Sequence, residues 1–478
     1  MRKFLSLFTL HYPETLTYML QSTEYQPDAY LVWFKRVKDF SSVMYRRKLD
    51  KTKSARLLLW ALRSGMFLQF MVAIYLILVG LKTESVLIVL IGTFFAVSYP
   101  LVWAYLIIIP LIIGRIVIVN PRNHRLIKES ENIFREHKGL KIAVAGSYGK
   151  TSIKELLLTV LSVGKKVSAT PANKNVALSH ALFAKKLKGD EDILIIEYGE
   201  GAPGDVEKFS NTTHPNIGVI TGLAPAHLDK YSSIESAGQD IFTLAKKVGA
   251  NNVYVNIESE AVKPFMKPMF NSYSSEGVLG WKIQDIKVAI DGLSFSMKNG
   301  KQQLKLKSGL LGRHQIGPLA LVAALSIKLG LNQKQVEEGI SKTRAFEHRM
   351  QPRLLNGAWL LDDTYNGNID GMIAGLRLMK ELTAKRKIYV TPGLVDQGKE
   401  SVRVHNKLGE EIAKTNPDKV ILMKNSTTED ILSGINKIGF NGEIQIEQDP
   451  LEFYTNIEHI IAYGDLVLMQ NDWLDNYN

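Results

Sequence analysis

The chain has 478 residues, with 59 Lys and Arg against 47 Asp and Glu, ten His and no cysteine. At about 100–200 residues per domain this is two to four domains, and 46% hydrophobic with 22% charged residues describes a folded chain, not a disordered one. The lack of cysteine excludes disulfides, zinc ribbons, iron–sulfur clusters and thiol nucleophiles, while a net charge of +12 leaves nucleic acid, anionic lipid and phosphorylated molecules to be told apart.

The distribution of charge separates them. Residues 1–140 hold 19 Lys and Arg against 9 Asp and Glu, and the remainder holds 40 against 38. A nucleic-acid-binding protein carries its basic stripe on its folded domains; here the surplus belongs to one end, so no nucleic-acid partner is expected. Residues 4–45 are rich in aromatics (Phe4, Phe8, Tyr12, Tyr18, Tyr25, Tyr30, Trp33, Phe34), which either lie at a lipid interface or form a small packed cap. The start, MRKFLSLFTLHYPE, has neither a long apolar core nor an A-x-A-like site, so a cleaved signal peptide is not expected.

Two charge-free apolar runs follow, Ser64–Leu81 of 18 residues and Ser85–Gly114 of 30, separated by Lys82-Thr83-Glu84. About 20 apolar residues cross the hydrocarbon core, so the pair predicts a transmembrane helical hairpin over 57–120, after an N-terminal segment at 1–56. Buried core helices are the alternative, but soluble cores rarely run so far without a charge. Arg46, Arg47, Lys48, Lys51, Lys53 and Arg56 precede the hairpin, and Arg115, Arg122, Arg125 and Lys128 follow it. Positive flanks at both outer ends place them, and everything after them, on the cytoplasmic side of the cell membrane, with membrane lipid as a partner. The excess length of the second run, with Pro100, predicts a kink or a short interfacial piece after the crossing.

From Gly139 the pattern is that of an α/β body. Lys141–Ala145 reads as a buried strand, then come Gly146-Ser147-Tyr148-Gly149-Lys150-Thr151 and a helical run, Ser152 to Val163. Strand, glycine loop, Lys-Thr and helix form a phosphate cradle of the P-loop type: glycines let backbone N–H groups approach phosphate oxygens, and the helix dipole favours the anion. Lys150 would reach the β- and γ-phosphates of ATP and Thr151 would ligate Mg²⁺. The glycines are closer together than in the general motif. Two further strands, Asp192–Glu197 and Ile217–Thr221, lead to Glu197 and His227. At the carboxyl ends of parallel strands both would converge on the metal held by Thr151; singly, Glu197 reads equally as a helix-capping acid and His227 as a loop histidine.

These and later motifs resemble the ATP-dependent Mur ligases of cell-wall peptide synthesis, most closely the UDP-N-acetylmuramoyl-tripeptide–D-alanyl-D-alanine ligases. The carriers are GSYGKTS at 146–152, TPANKN at 170–175, IIEYGEGAPGD at 195–205, TGLAPAHLD at 221–229, LGRHQ at 311–315, HRM at 348–350 and LDDTYNGNIDGM at 361–372. The resemblance implies a central ATP-binding domain at 138–342 and a C-terminal Rossmann-like domain at 343–478. Its chemistry would activate a carboxylate of a cell-wall peptide precursor as an acyl phosphate, for attack by an amine such as a D-alanyl-D-alanine-type dipeptide. ATP and Mg²⁺ are the implied cofactors. Gly146, Ser147, Gly149, Lys150, Thr151 and Ser152 would hold phosphate; Asn173 and Asn175 would line the substrate side. His314 would lie near the nucleotide, Arg349 would reach its phosphates and Asp363 its ribose.

Bland readings stand beside these. Arg349 lies in a basic stretch, Arg344 to Arg353, that also suits a solvated hinge. Asp362 or Asp363 would serve as N-cap for a helix from Ile369, and His405, in the helical run Val402–Lys414, reads as a surface residue.

Three departures from the family pattern qualify the resemblance. The apolar hairpin stands where the family has a uridine-nucleotide-binding domain, which favours a membrane-presented acceptor. The family's carbamylated lysine, whose carboxylate helps hold a second metal, has no evident counterpart; Asp240 would supply that carboxylate directly, and is read as catalytic with Lys150 and His227, unless Lys246 serves in a shifted register or the second metal is absent. Gln315 and Pro318 replace two asparagines near the nucleotide, and Gly464–Gln470 lacks, after Gly464 itself, a lysine or glycine often found there. Ligation of a lipid-linked precursor, or a membrane-tethered nucleotide-binding scaffold without ligation, remain the alternatives.

Overall fold

The computed structural model describes residues 2–23, 25–37, 39–40, 49–172, 174–224, 231, 233–365, 367–394, 397 and 400–471. They divide into two units, residues 1–125 and 126–478.

The first unit is built on two antiparallel helices, Lys53–Lys82 and Val86–Leu106, joined by a turn in which Glu84 takes a φ of +53°. Thr52 caps the first, its side chain accepting from the Ala55 N–H. Small residues let the helices close on each other: a Cβ at Gly80 would stand 2.7 Å from the Val89 side chain, and one at Gly92 2.7 Å from Ile77. The outer faces have no such cover. Only 22% and 17% of the most apolar windows of the two helical runs are buried.

The aromatic N-terminal segment is a packed cap. Its helices Tyr12–Ser22 and Pro27–Arg36 bury Tyr12, Leu16, Tyr30 and Phe34 against Leu58, Leu62, Ala104 and Ile107, at the end of the hairpin opposite its turn. The Tyr12 and Tyr30 hydroxyls donate to the carbonyls of Pro100 (3.4 Å) and Ala104 (3.0 Å). Arg63 pairs with Glu14 at 2.6 Å. Phe4, Leu5, Phe8 and Leu10 stay exposed. The second apolar run does not end at Pro100: the helix continues to Leu106, a short helix Ile108–Gly114 follows, and a π-helical turn, Arg115–Val119, leads into Asn120–Glu136.

The second unit contains two sheets. The larger takes β1 (Leu140–Ala145), β2 (Val167–Ala169), β3 (Ile193–Glu197), β4 (Ile217–Ile220), β5 (Val253–Asn256), β6 (Asn271–Ser274), β7 (Gly277–Val278), β8 (Trp281–Ala289), β9 (Gly292–Asn299) and β10 (Gln302–Ser308), in the order 10-9-8-7-6-5-4-1-3-2. Strands β1 to β6 pair in parallel and β7 to β10 form an antiparallel meander. As buried parallel strands require, β1 and β3 read as near-continuous apolar runs. One face packs on the helices Lys150–Leu161, Ile316–Lys328 and Gln333–Ser341, through Ile153, Leu157, Leu319 and Val336. The other packs on Phe134, Phe183, Val206 and Ile241.

The smaller sheet takes β11 (Gln351–Leu355), β12 (Ala358–Asp363), β13 (Arg386–Thr391), β14 (Lys419–Met423), β15 (Glu443–Glu447) and β16 (Asp465–Gln470) in the order 11-12-16-13-14-15. It is parallel except for β11. Two expectations fail here. The helix Ile369–Glu381 is capped not by Asp362 or Asp363 but by Asn368, whose side chain accepts from the Gly371 N–H at 2.9 Å. His405 is not on the surface: it is fully buried, its Nε2 accepts from the Leu394 N–H (2.9 Å) and its Nδ1 donates to the Ser401 carbonyl (2.7 Å). The imidazole ties down the backbone that follows β13, a role helical periodicity cannot reveal.

Candidate active site

Strand β1 lies between β3 and β4; its crossover runs to β2 on one side and that of its neighbour β4 to β5 on the other, so a crevice opens at its carboxyl end. The glycine turn fills that position. Gly146 takes a φ of +139° and a Cβ on it would lie 2.3 Å from Thr221 Oγ1; Gly149 takes +73° immediately before the helix Lys150–Leu161. Ser147 N–H donates to the Gly222 carbonyl at 2.9 Å. Thr221 supports the turn from below, its hydroxyl within hydrogen-bond reach of the carbonyls of Ala145 and Tyr148. The helix begins at Lys150, two residues earlier than its sequence suggests, which puts Lys150, Thr151 and Ser152 in its first turn.

Two buried carboxylates face these residues. Thr151 Oγ1 donates to Glu197 Oε1 at 3.1 Å, and Asn175 Nδ2 donates to the same oxygen at 3.2 Å. Behind Glu197, the His180 Nε2 donates to its backbone carbonyl at 2.8 Å, and burial pushes that imidazole down to about 4, so it is neutral and structural. Lys154 is fully buried, with its Nζ 3.4 Å from Glu197 Oε2, 3.2 Å from Glu155 Oε1 and bonded to the Ala172 carbonyl. Glu197 Oε2 is enclosed without a hydrogen-bond partner among the described residues. A carboxylate beside a hydroxyl is a donor set that a hard divalent cation takes, here in competition with the Lys154 ammonium 3.4 Å from Oε2. Lys150 bonds the Gly146 carbonyl (2.5 Å) and pairs with Glu200 Oε2 (2.7 Å).

Glu197 thus proves no helix-capping acid. Asn173 and His227 lie outside the described residues, and among those described no three His, Asp or Glu side chains gather as a metal site. Asp240 has a different occupation from the one expected: it is buried, its Oδ1 accepts from the Gly204 N–H (3.0 Å) and its Oδ2 from the Tyr231 hydroxyl (2.7 Å). Burial raises its carboxyl above the ordinary range. With both oxygens engaged it anchors the loop after β3. Lys246 is exposed on the helix Thr243–Val248.

The smaller sheet and the turn that leads into the helix Ile316–Lys328 hold the remaining candidates. Asp363, at the carboxyl end of β12, accepts from the Met350 N–H (3.0 Å) and from Gln470 Nε2 (2.8 Å). Arg349 is stacked on the Tyr365 ring at 4.5 Å, the geometry of a cation–π contact and not of a free solvated hinge. His314 is half-buried, with its Nδ1 enclosed and without a hydrogen-bond partner among the described residues; burial pushes it down to about 4.

Burial also pushes Asp363 up to about 6 from its ordinary 3.8. A carboxyl whose folded-state pKa is raised favours folding below its unfolded pKa, and that contribution is lost as pH rises through the folded value. Relative to Asp363→Asn, the wild-type chain should therefore lose about 2 kcal/mol of stability between pH 4 and 6, measured as the difference of their urea-unfolding curves. A pH-independent difference would show that the carboxyl is ionised throughout.

Residues 144–326 match the Mur ligase middle domain, and residues 348–470 the Mur ligase glutamate ligase domain; together they take in more than half of the chain. The chain belongs to the Mur ligase family. Members are ATP-dependent amide-bond-forming ligases. Among curated relatives it is 26% identical to the UDP-N-acetylmuramoyl-tripeptide–D-alanyl-D-alanine ligase of Buchnera aphidicola, over 67% of this chain and 71% of the relative. It is 27% identical to the enzyme of that name from Escherichia coli K12, over 59% and 63%. The chain thus spans about two thirds of the length of these relatives. Of solved structures, MurF from Thermotoga maritima in complex with ADP superposes with a TM-score of 0.64 at 21% identity, over 73% of this chain and 80% of that one. MurF from Acinetobacter baumannii gives 0.64 at 17%, over 73% and 77%. These superpositions establish the Mur ligase fold.

The sequence reading missed three contributors to the site. Lys154, one helical turn after Lys150, would follow from its spacing. Glu200 and Thr221 fall within the motifs at 195–205 and 221–229, but no local spacing assigns them their contacts; the folded loop and the end of β4 bring them to the glycine turn.

Proposed function

We propose that this Mur ligase is a membrane-anchored enzyme that joins a carboxylate of a cell-wall peptide precursor to an amine, of the D-alanyl-D-alanine dipeptide type, at the expense of ATP. The observation that carries the reading is the arrangement of Lys150, Thr151 and Glu197 around the glycine turn at the carboxyl end of β1. Bound MgATP supplies the phosphoryl group that turns the carboxylate into an acyl phosphate. The protein's own part is positioning and charge. The positive-φ turn Gly146–Gly149 aims backbone N–H groups and a helix N-terminus at phosphate; Lys150 offers a point charge to the phosphate oxygens; Thr151 and Glu197, with His227, would hold the cation. Asn175 fixes the Glu197 carboxylate from the side of the loop expected to face substrate. From the smaller sheet, Asp363 and Arg349 would reach the ribose and the phosphates; from the turn before the helix Ile316–Lys328, His314 would reach the nucleotide.

The uncovered apolar helices Lys53–Lys82 and Val86–Leu106 support anchoring to the cell membrane, with the ligase domains on the cytoplasmic side as the flanking Arg and Lys dictate. They favour a lipid-linked precursor over a soluble uridine-nucleotide-linked one, since a tethered enzyme meets a membrane-presented substrate at high effective concentration. The test is purified full-length protein in lipid nanodiscs, offered ATP, D-alanyl-D-alanine and either soluble or lipid-linked tripeptide precursor. Mass spectrometry should show amide product and equimolar ADP, formed faster with the lipid-linked acceptor. ATP consumption that needs neither carboxylate nor amine would favour a scaffold instead. In membrane fractions the protein should resist salt and carbonate extraction and yield to detergent; release by salt alone would sink the anchored reading.

A further inference from the structure

Lys150 already has a partner where the ligase reading places phosphate. Its Nζ bonds the Gly146 carbonyl at 2.5 Å and Glu200 Oε2 at 2.7 Å, and the two side chains are only 11% and 4% exposed. An ammonium has three protons; two are taken, so contact with both β- and γ-phosphate oxygens requires at least one to be given up. The backbone carbonyl belongs to the turn and cannot withdraw. The carboxylate can.

Glu200 lies in a loop held on either side of it. Gly199 N–H donates to the Asn175 carbonyl at 2.8 Å. Further on, Asp240 takes the Gly204 N–H (3.0 Å), and the Tyr231 hydroxyl is 3.0 Å from the Ala202 carbonyl and 2.7 Å from Asp240. With Gly199, Ala202 and Gly204 pinned, Glu200 can leave Lys150 by rotating its own side chain without unfolding the loop. Its carboxylate is thus a buried oxyanion on a fixed backbone, paired with the cation that the nucleotide also needs.

We propose that Glu200 is the resident counter-ion of Lys150: it positions the ammonium in the nucleotide-free enzyme and competes with the nucleotide for it, which sets nucleotide affinity and returns Lys150 to its resting place when product leaves. This rests on the reading of Gly146–Thr151 as the phosphate cradle. The size of the effect follows from population. If the nucleotide-free enzyme has Glu200 on Lys150 nine-tenths of the time, the apparent affinity is about tenfold below that of the released form. A nearly buried charge pair readily reaches such a population, because either charge left alone would be desolvated without compensation.

Glu200→Gln keeps the shape and an acceptor oxygen but removes the charge. By calorimetry on the full-length protein in nanodiscs, the variant should bind MgADP and a non-hydrolysable MgATP analogue about tenfold more tightly than wild type. Its unliganded thermal midpoint should fall while the stabilisation by nucleotide grows, a combination that a purely structural glutamate would not give. Glu200→Ala should tighten binding in the same direction, and serves if the glutamine variant folds poorly. Unchanged affinity overturns the proposal. Weaker binding also overturns it, and reassigns Glu200 to the ligands of the metal–nucleotide complex. If wild type itself binds neither nucleotide, the phosphate-cradle reading fails and this proposal falls with it, an outcome distinct from tight wild-type binding that Glu200→Gln leaves unaltered.

Discussion

Replacing Lys150 by Ala should abolish ATP-dependent amide formation, lowering turnover by a factor of about 10³ or more. Lys150 is the one described cation in direct contact with the glycine turn; on the proposed reading, charge that develops on a phosphoryl group in transit would be stabilised there by fixed groups, and removing a single donor from such a site typically costs 10²–10³. One complication can be separated. The alanine variant strands Glu200 as a buried charge without its partner, and that alone destabilises the fold. The double variant Lys150→Ala, Glu200→Gln removes both charges, so its thermal midpoint should return towards wild type while ligation stays absent. Recovery of ligation in the double variant would show that the lysine acts through stability and not on the nucleotide.

The second large effect is expected at the Glu197–Lys154 pair. Both side chains are almost fully enclosed, 1% and 0% exposed. Lys154 has no route to solvent, and its remaining contacts are Glu155 and a backbone carbonyl. Glu197→Ala therefore leaves a buried ammonium short of counter-charge and should cost about 3–5 kcal/mol of stability, as breaking one side of a buried pair does. Lys154→Met, which fills the same space, should cost less in combination with Glu197→Gln than the sum of the two single changes, because the double variant buries no unpaired charge. Urea unfolding of the four chains gives the coupling. Additive costs would mean that the pair does not interact. Independently of stability, Glu197→Gln should shift the Mg²⁺ titration of activity to higher concentration: the amide replaces one anionic oxygen with an N–H donor that cannot ligate a cation.

The strands β1, β3 and β4, the glycine turn and the helix after it were legible because each is local. A buried parallel strand reads as an apolar run, and a backbone that must turn with positive φ reads as glycine. The uncovered hairpin was legible for the same reason, length without charge. His405 was misread, and the bonds that Asp240 makes went unseen, because both depend on loops that periodicity cannot fold. A carboxylate near a motif resembles a ligand until both of its oxygens are seen to bond Gly204 and Tyr231. A histidine on an amphipathic helix looks exposed until the strand end beneath it is in place. The N-terminal aromatics admitted both a lipid interface and a packed cap; packing against Leu62 and Ile107 decided for the cap.

The charge of +12 illustrates the same division. The sequence alone determined that its excess brackets two apolar helices and that the body is nearly neutral, since charge and hydropathy are properties of residues in order. Only the tertiary structure decided how the body arranges its few decisive charges. Lys150 faces Glu200 fifty residues on, and Lys154 faces Glu197. Such pairs are set by which strand ends share a crevice, and β1 and β3 become neighbours only when the sheet is assembled.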